Sequence, residues 1–506
     1  MDYAIAVIDI GMTNKKVAIY DENLHQLEAV SEVFEPLSIA DPVHKQPLDI
    51  HDLEGMKTWF CDRLAIFAKK YPIKALSITT HGSTFVCIDK NGDVCAPCVF
   101  YTHDPGNDFQ KEFYKRFGSK NELQQRTHTA AFGAMINPAK GIIFLQKIFP
   151  NEFAKTDCIL YYPQYWNYVF TGVKGIEPTY CGCHTYLWNY EENTWGYVAD
   201  ELGIRALLPT NYKNSYEIVG NVTKAMSEKT GLDSSVVVTM GMHDSNASLL
   251  PHIAKNSEND FVLNSTGSWC VSMHPQKNFD FNEEDIGKMV FFNLSALCQP
   301  IKTSIFSGGL ELDAYISLYK KINNTTEFPT FSFDTVNIVL EEKDTFLMPE
   351  IFADSGQFTG CKPGIWEKQT FYPLEDIQSG KAIPQIMKKE QRFCAILDLA
   401  LVIQTETALK RAGLQNETYV FIEGGFQQNK LYNALLAAAI PDNPVFHTDI
   451  KDEAAFGAAM TANMAFSRKN LKELATLLNI EYVPTEKAPL KGYEDYKNIW
   501  IAYATT

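Results

Sequence analysis

Two short segments constrain this chain more than anything else in it. Ala4–Asp9 is an apolar, β-branched run that enters a polar turn with one glycine, and Lys16–Tyr20 returns as a second strand. About 250 residues later, Phe261–Asn264, Ser265–Ser268 and Trp269–Met273 repeat the pattern of strand, short polar turn with one glycine, and strand. Such a turn presents backbone amides and a hydroxyl at a sheet end. Its recurrence predicts two similar domains with a ligand between them. Gly55–Lys70 has helical periodicity, with Met56, Phe60, Leu64 and Phe67 on one face, while Ala75–Thr79 and Thr84–Ile88 read as strands. The chain is therefore expected to be mixed α/β.

A length of 506 residues exceeds what one ordinary core organises. Pro251 and the polar stretch Lys255–Asp260 place the expected boundary, giving domains at 1–250 and 251–470 and a peripheral extension at 471–506. The stretch 274–385 yields no clear element pattern. A formal net charge of −16 without a Lys/Arg-rich run argues against a nucleic-acid partner. It does not oppose a small anion held by local amides. No apolar run reaches the roughly 18 residues of a membrane helix, so no membrane partner is expected. Met1-Asp2-Tyr3 leads straight into a strand, and eleven irregularly spaced cysteines fit reduced thiols, so the expected location is cytoplasmic.

Five elements, the two turns among them, bear polar groups where chemistry is expected. Val236–Met240 is a strand-like run followed by Gly241-Met242-His243-Asp244 and a small-residue helix start. Ligands of open α/β sheets bind outside the carboxyl ends of strands, and Asp244 there is placed to take a proton from a substrate hydroxyl. In the first turn, Gly11, Thr13 and Asn14 suit a phosphate, Lys16 adds charge, and Asp9 is a candidate to hold Mg²⁺ through water. The alternative there is a plain hairpin with a solvated lysine. Thr266 and Gly267 form the matching phosphate turn in the second half. Gly424 and Gly425, with Asn429 before a helix, allow close approach of a nucleoside. His81 and Gly82, with Asp104 about twenty residues later, are candidates for sugar hydroxyls, as is His243. The small residues Ala454–Ala459 read as tight helix packing. No P-loop, dinucleotide-binding glycine motif or nucleophile elbow is present.

Taken in order, Asp9-x-Gly11-x-Thr13, His81-Gly82, Gly241-x-His243-Asp244, Ser265-Thr266-Gly267-Ser268-Trp269 and Gly424-Gly425…Asn429 resemble the FGGY carbohydrate kinases, over about residues 4–465. Tyr165…Phe170-Thr171-Gly172 and Thr185-Tyr186-Leu187…Trp195 are similar to the middle of that family's first domain. The resemblance implies an actin-like fold of two ribonuclease-H-like domains whose cleft closes on ATP, Mg²⁺ and a sugar, with a homodimer left open. It implies Asp244 as catalytic base, Asp9 at the metal, and Thr13, Thr266 and Gly267 at the phosphates. Gly424, Gly425 and Asn429 would lie along adenosine, and His81 and Asp104 at the sugar. The chain departs from the pattern at Met12, where Thr is usual, and at Gln164, where an aspartate is often found. The His243-Asp244 and Thr266-Gly267-Ser268-Trp269 stretches lean toward L-fuculose and L-rhamnulose kinases, and the segment at His81 toward D-xylulose kinases, with L-ribulose as a further alternative. A sugar sensor or scaffold that has lost catalysis, and an actin-like ATPase acting on a partner, are the competing classes.

Overall fold

The computed structural model describes residues 1–448 and 450–505. Two seven-stranded sheets share one strand plan. In the first, β1 (Ala4–Ile10), β2 (Asn14–Asp21) and β3 (Gln26–Val33) are consecutive antiparallel neighbours. β4 (Ile73–Thr80) lies parallel to β1, and β5 (Ile218–Asn221) closes the edge beyond β6 (Val237–Thr239), which runs parallel to β4. In the second, β7 (Phe261–Thr266) and β8 (Cys270–Pro275) repeat the hairpin, and β9 (Val290–Leu294) flanks β10 (Pro300–Phe306), which pairs with β8. β11 (Tyr419–Gly424) and β12 (Val445–Thr448) continue in parallel from β7, and β13 (Tyr482–Pro484) closes the sheet. The repeat expected from the two hairpins is thus a repeat of whole sheets.

β1 is buried on both faces, and its alternation divides two cores. Ala4, Ala6, Ile8 and Ile10 join the large core around helix α1 (Leu53–Ala68). Ile5 and Val7 face a small-residue core built by α2 (Asp244–Lys255) and α3 (Glu453–Ser467). Helix α3, far along the chain, therefore packs on the first sheet, and Ser77 of β4 meets its Thr461 at 3.1 Å. A Cβ at Gly457 would lie 1.9 Å from the Ala247 carbonyl oxygen, so the two helices cross backbone to backbone. The small residues at 454–459 allow this.

Two sequence-based expectations need correction. Pro251 does not end regular structure, because α2 runs through it. The N–H that proline lacks would have bonded Ala247, the carbonyl against which Gly457 is packed. Nor is the tail peripheral. β13 extends the second sheet, and the helix Tyr493–Ala504 buries Tyr496 and Trp500 completely. Trp500 Nε1 donates to the Leu347 carbonyl at 2.8 Å, and Tyr493 and Lys497 both reach Glu406. Its apolar face is interleaved with polar anchors, which hides it from a periodicity reading. The stretch 274–385 supplies β9, β10, the helix Gly308–Asn323 and a small sheet of Thr345–Met348, Gly364–Glu367 and Thr370–Pro373. Among the described residues, no helix is long and apolar enough to cross a membrane.

Candidate active site

A cavity of about 470 Å³ opens between the two sheets, lined from both halves of the chain. The strand order explains its place. β1 and β4 end side by side, with Met242–His243 bridging to the last residues of β4, and the β7–β8 turn faces them from the other domain. Thr13, His81, Gly82, His243, Asp244, Thr266 and Gly267 all line this space.

Asp244 is the first residue of α2 and keeps 29% of its side chain exposed to the cleft. Its Oδ1 accepts from the Ser245 N–H at 2.6 Å, and His243 Nε2 lies 3.4 Å away. Gly241, at φ +71°, makes the bend before it, where a Cβ would lie 2.8 Å from the Ile78 carbonyl oxygen. The preceding Met240 carbonyl is held by Gln164 and Asn167, so Gln164 serves the backbone that aims Asp244. Beneath it, the His243 N–H donates to Thr179 Oγ1 at 2.9 Å, and that hydroxyl is in turn held by buried Glu177. Burial pushes the Glu177 carboxyl up to about 7.

His81 Nδ1 is engaged with the Gly82 carbonyl at 2.9 Å, while its buried Nε2 has no partner among the described residues. Ser83 Oγ and His184 Nε2 meet at 2.9 Å, and both residues hold left-handed backbone, at φ +69° and +41°. Non-glycine residues in that region cost free energy and persist only where surroundings enforce them. Burial lowers His81 to about 4 and His184 to about 3, so both imidazoles are neutral and can donate or accept. The opposite wall is apolar: Phe132 and Ile136 from the first domain, Trp269, Val271, Phe291 and Ile305 from the second.

The first turn carries charge. Asp9, at the end of β1, is pushed up to about 7 by burial, against the pull of Lys16, and Asp244, Asp452 and Glu453 push it further. Lys16 is ion-paired with Asp452 at the head of α3, so it ties the turn to that helix rather than standing free in solvent. Asn14 is exposed at the start of β2. Lys15 points inward, 1% exposed, and bonds the carbonyls beneath the turn.

The second turn is neutral. Thr266 Oγ1 donates to the Glu423 carbonyl and accepts from the Phe426 N–H at 3.0 Å, so it joins the turn to the glycine loop after β11. Gly424 sits at φ +83°, and a Cβ there would fall 2.0 Å from the Thr266 carbonyl oxygen. Gly424 and Gly425 lie behind this turn, outside the cavity lining. Asn429 is occupied locally: it caps the helix Lys430–Ala439 and donates to Asp398 at 3.0 Å.

Asp104 is not brought to the cleft. Tyr101 and Thr102 reach the cavity, but the chain then turns away, and Asp104 accepts from the Gly106 N–H at 2.9 Å over a separate depression. His184, Asn293 and Glu177 escaped the sequence reading, because none sits in a turn or strand-end pattern that marks it, while Ser83 and Lys15 lie in segments that reading singled out without giving either a role of its own.

The comparisons with known proteins cover nearly the whole chain. The model of the FGGY family of carbohydrate kinases, N-terminal domain, matches residues 4–251, and that of the carbohydrate kinase FGGY, C-terminal domain, matches 258–470. The chain belongs to the FGGY carbohydrate kinase family. The autoinducer-2 kinase of Yersinia pestis bv. Antiqua (strain Angola) is 22% identical to this FGGY kinase over 523 residues, covering 100% of this chain and 94% of that one. The rhamnulokinase of Enterococcus faecalis is 24% identical over 243 residues, covering 46% of this chain and 47% of its own. In fold, the FGGY kinase matches a carbohydrate kinase from Novosphingobium aromaticivorans with a TM-score of 0.76 at 22% identity, over 99% and 100% of the two chains. The two-sheet plan and interdomain cleft are accordingly those of the actin-like sugar kinases.

Proposed function

We propose that this FGGY kinase transfers the terminal phosphoryl group of ATP to a hydroxyl of a ketose, with deoxy-ketoses such as L-fuculose and L-rhamnulose the best fit. The observation that carries this reading is the two-faced cavity. One face offers Asp244, His243, the unpartnered His81 Nε2 and Ser83–His184 for hydroxyls. The other offers Phe132, Trp269, Phe291 and Ile305, which suit a methyl group better than another hydroxyl.

Phosphoryl transfer asks for positioning and charge stabilisation. Asp244 accepts the proton of the attacking sugar hydroxyl as that oxygen bonds to phosphorus and the bond to the ADP oxygen breaks. His81 and His184, whose basicity burial lowers, orient hydroxyls and compete only weakly for that proton. Thr13 and the turn amides of both domains hold the phosphates, and the Gly424–Gly425 backbone gives the nucleoside close approach. The residues fit a divalent cation. Asp9 is a half-buried carboxylate with Asp244, Asp452 and Glu453 as acidic neighbours and the Lys16 ammonium nearby. Among the described residues, no group of three or more His, Cys, Asp and Glu side chains is placed to enclose a metal. That agrees with Mg²⁺, which commonly takes one or two carboxylates plus phosphates and water. When bound it would neutralise charge on the transferring phosphates. Small substrates and the absence of a membrane-spanning helix among the described residues support a cytoplasmic enzyme.

A second reading rests on a relative that matches over the full chain: the substrate is autoinducer-2. The test is Mg²⁺-ATP-dependent ADP formation across L-fuculose, L-rhamnulose, L-ribulose, D-xylulose and autoinducer-2. A rise with a deoxy-ketose alone supports the first reading, and a rise with autoinducer-2 alone replaces it. ATP binding with no acceptor among sugars would favour the sensor.

A further inference from the structure

Lys15 is a buried cation in a place where hairpin strands ordinarily bury apolar side chains. It follows the first turn on β2, and the alternation of that strand points it inward while Lys16 points toward α3. Its side chain is 1% exposed, and among the described residues it forms no ion pair with a carboxylate. Its Nζ instead donates to the Met12 carbonyl at 2.8 Å, the Gly11 carbonyl at 3.0 Å and the Thr13 carbonyl at 3.4 Å. Three donors thus meet three successive acceptors of one turn.

The planar trans peptide makes the consequence specific. In each unit the C=O and the following N–H point in opposite directions. Drawing the Gly11 and Met12 carbonyls inward to one ammonium turns the Met12 and Thr13 N–H groups outward. Both residues line the interdomain cavity, and neither N–H has a hydrogen-bond partner among the described residues. Lys15 therefore arranges two free donors toward the cleft and leaves a positive charge directly behind them. Met12 itself offers no hydroxyl to the turn, so its shape depends on a partner from elsewhere.

We infer that Lys15 is a positioning residue for the phosphoryl donor: from beneath the turn, its ammonium fixes the Gly11–Thr13 carbonyls so that the Met12 and Thr13 amides face the ATP phosphates. This rests on the kinase reading and adds to it a residue that never touches substrate. The ligand it serves is the polyphosphate; the sugar pocket is served by other side chains.

The test is steady-state kinetics of the full chain and Lys15→Met, which keeps the length and removes the charge and the donors. The KM for ATP is expected to rise about tenfold or more, with the KM for sugar within about twofold and the melting temperature recording how much fold is lost. Equal rises in both KM values, or an unchanged KM for ATP, overturn the proposal. Should Lys15→Met not fold, hydrogen exchange on the unaltered chain decides. The Met12 and Thr13 amides should exchange readily alone and become protected by a non-hydrolysable ATP analogue. Protection already present without nucleotide, or none gained with it, overturns the orientation argued here. An unaltered chain that forms no ADP with any sugar sinks the kinase reading instead, so the two failures are distinct.

Discussion

The turn between β1 and β2 and the turn between β7 and β8 hold equivalent places in two sheets of the same plan, yet their chemistry differs. The first is charged: Asp9 precedes it, Lys15 lies beneath it and Lys16 ties it to α3. The second has no charged side chain from Ser265 to Trp269, and is held by the Thr266 hydroxyl and by glycines at 309 and 424 that admit its backbone. A Cβ at either glycine would lie 2.0 Å from a carbonyl oxygen of the turn. Under the function proposed above, the same hairpin would serve two tasks: side chains and a cation where charge moves, and shaped backbone where a polyphosphate is only held.

Substitutions can break this division. The largest effect is expected at Asp244→Asn, which should cut sugar-dependent turnover by about 10²–10⁴-fold while nucleotide binding measured by calorimetry persists. Turnover within a few-fold of the original chain would remove Asp244 from the chemistry. Next, Asp9→Asn should raise the Mg²⁺ concentration needed for half-maximal rate and lower the rate about 10²-fold, since a carboxylate is removed from the candidate metal site. An unchanged Mg²⁺ requirement would place the metal elsewhere.

The same variant sharpens the comparison through stability. The Asp9 carboxyl is raised from 3.8 to about 7 by burial, so its contribution is fully present below pH 3.8 and is lost as pH rises through about 7. Asp9→Asn without ligands should therefore melt a few degrees higher than the unaltered chain at pH 8, with the difference shrinking toward pH 5. Calorimetry at both pH values checks the sign.

On the neutral turn, Gly424→Ala should raise the KM for ATP by about tenfold and destabilise the chain by about 1–3 kcal/mol, from its positive φ and the clash with Thr266, leaving the Mg²⁺ requirement unchanged. Thr266→Val, which removes one donor and one acceptor, is the smallest change, costing about 1–2 kcal/mol in stability. If either altered Mg²⁺ dependence as Asp9→Asn does, the division between a charged turn and a holding turn would fail.

Much of the site could be read beforehand because its residues sit at strand ends that announce themselves. Asp9, Thr266 and Gly424 each follow an apolar run or adjoin a glycine, and Thr13 and Asp244 lie two and three residues past a glycine just beyond a strand, which is the local signature of a turn at a sheet edge. Asp104 looked similar, since it follows Tyr101-Thr102-His103, but its carboxylate caps the next turn instead. His184 reaches the cavity from a stretch that follows a short helix rather than a strand, with left-handed backbone and its ring against Ser83 a hundred residues earlier. Lys15 and Lys16 are adjacent lysines in one strand, and only strand alternation against two packed faces sends one beneath the turn and the other to α3.

The sequence by itself determined the repeated hairpin, the two α/β halves, the family and the candidate base, because each depends on short-range patterns of apolar alternation, glycine and a carboxylate. Tertiary structure decided what those patterns serve. It folded α3 back onto the first sheet, drew the tail into the second core, gave the cleft one polar and one apolar wall, and buried Lys15 behind its turn. These depend on contacts between residues far apart in the chain, whose energies come from desolvation and close backbone approach, and neither leaves a local trace in the order of amino acids.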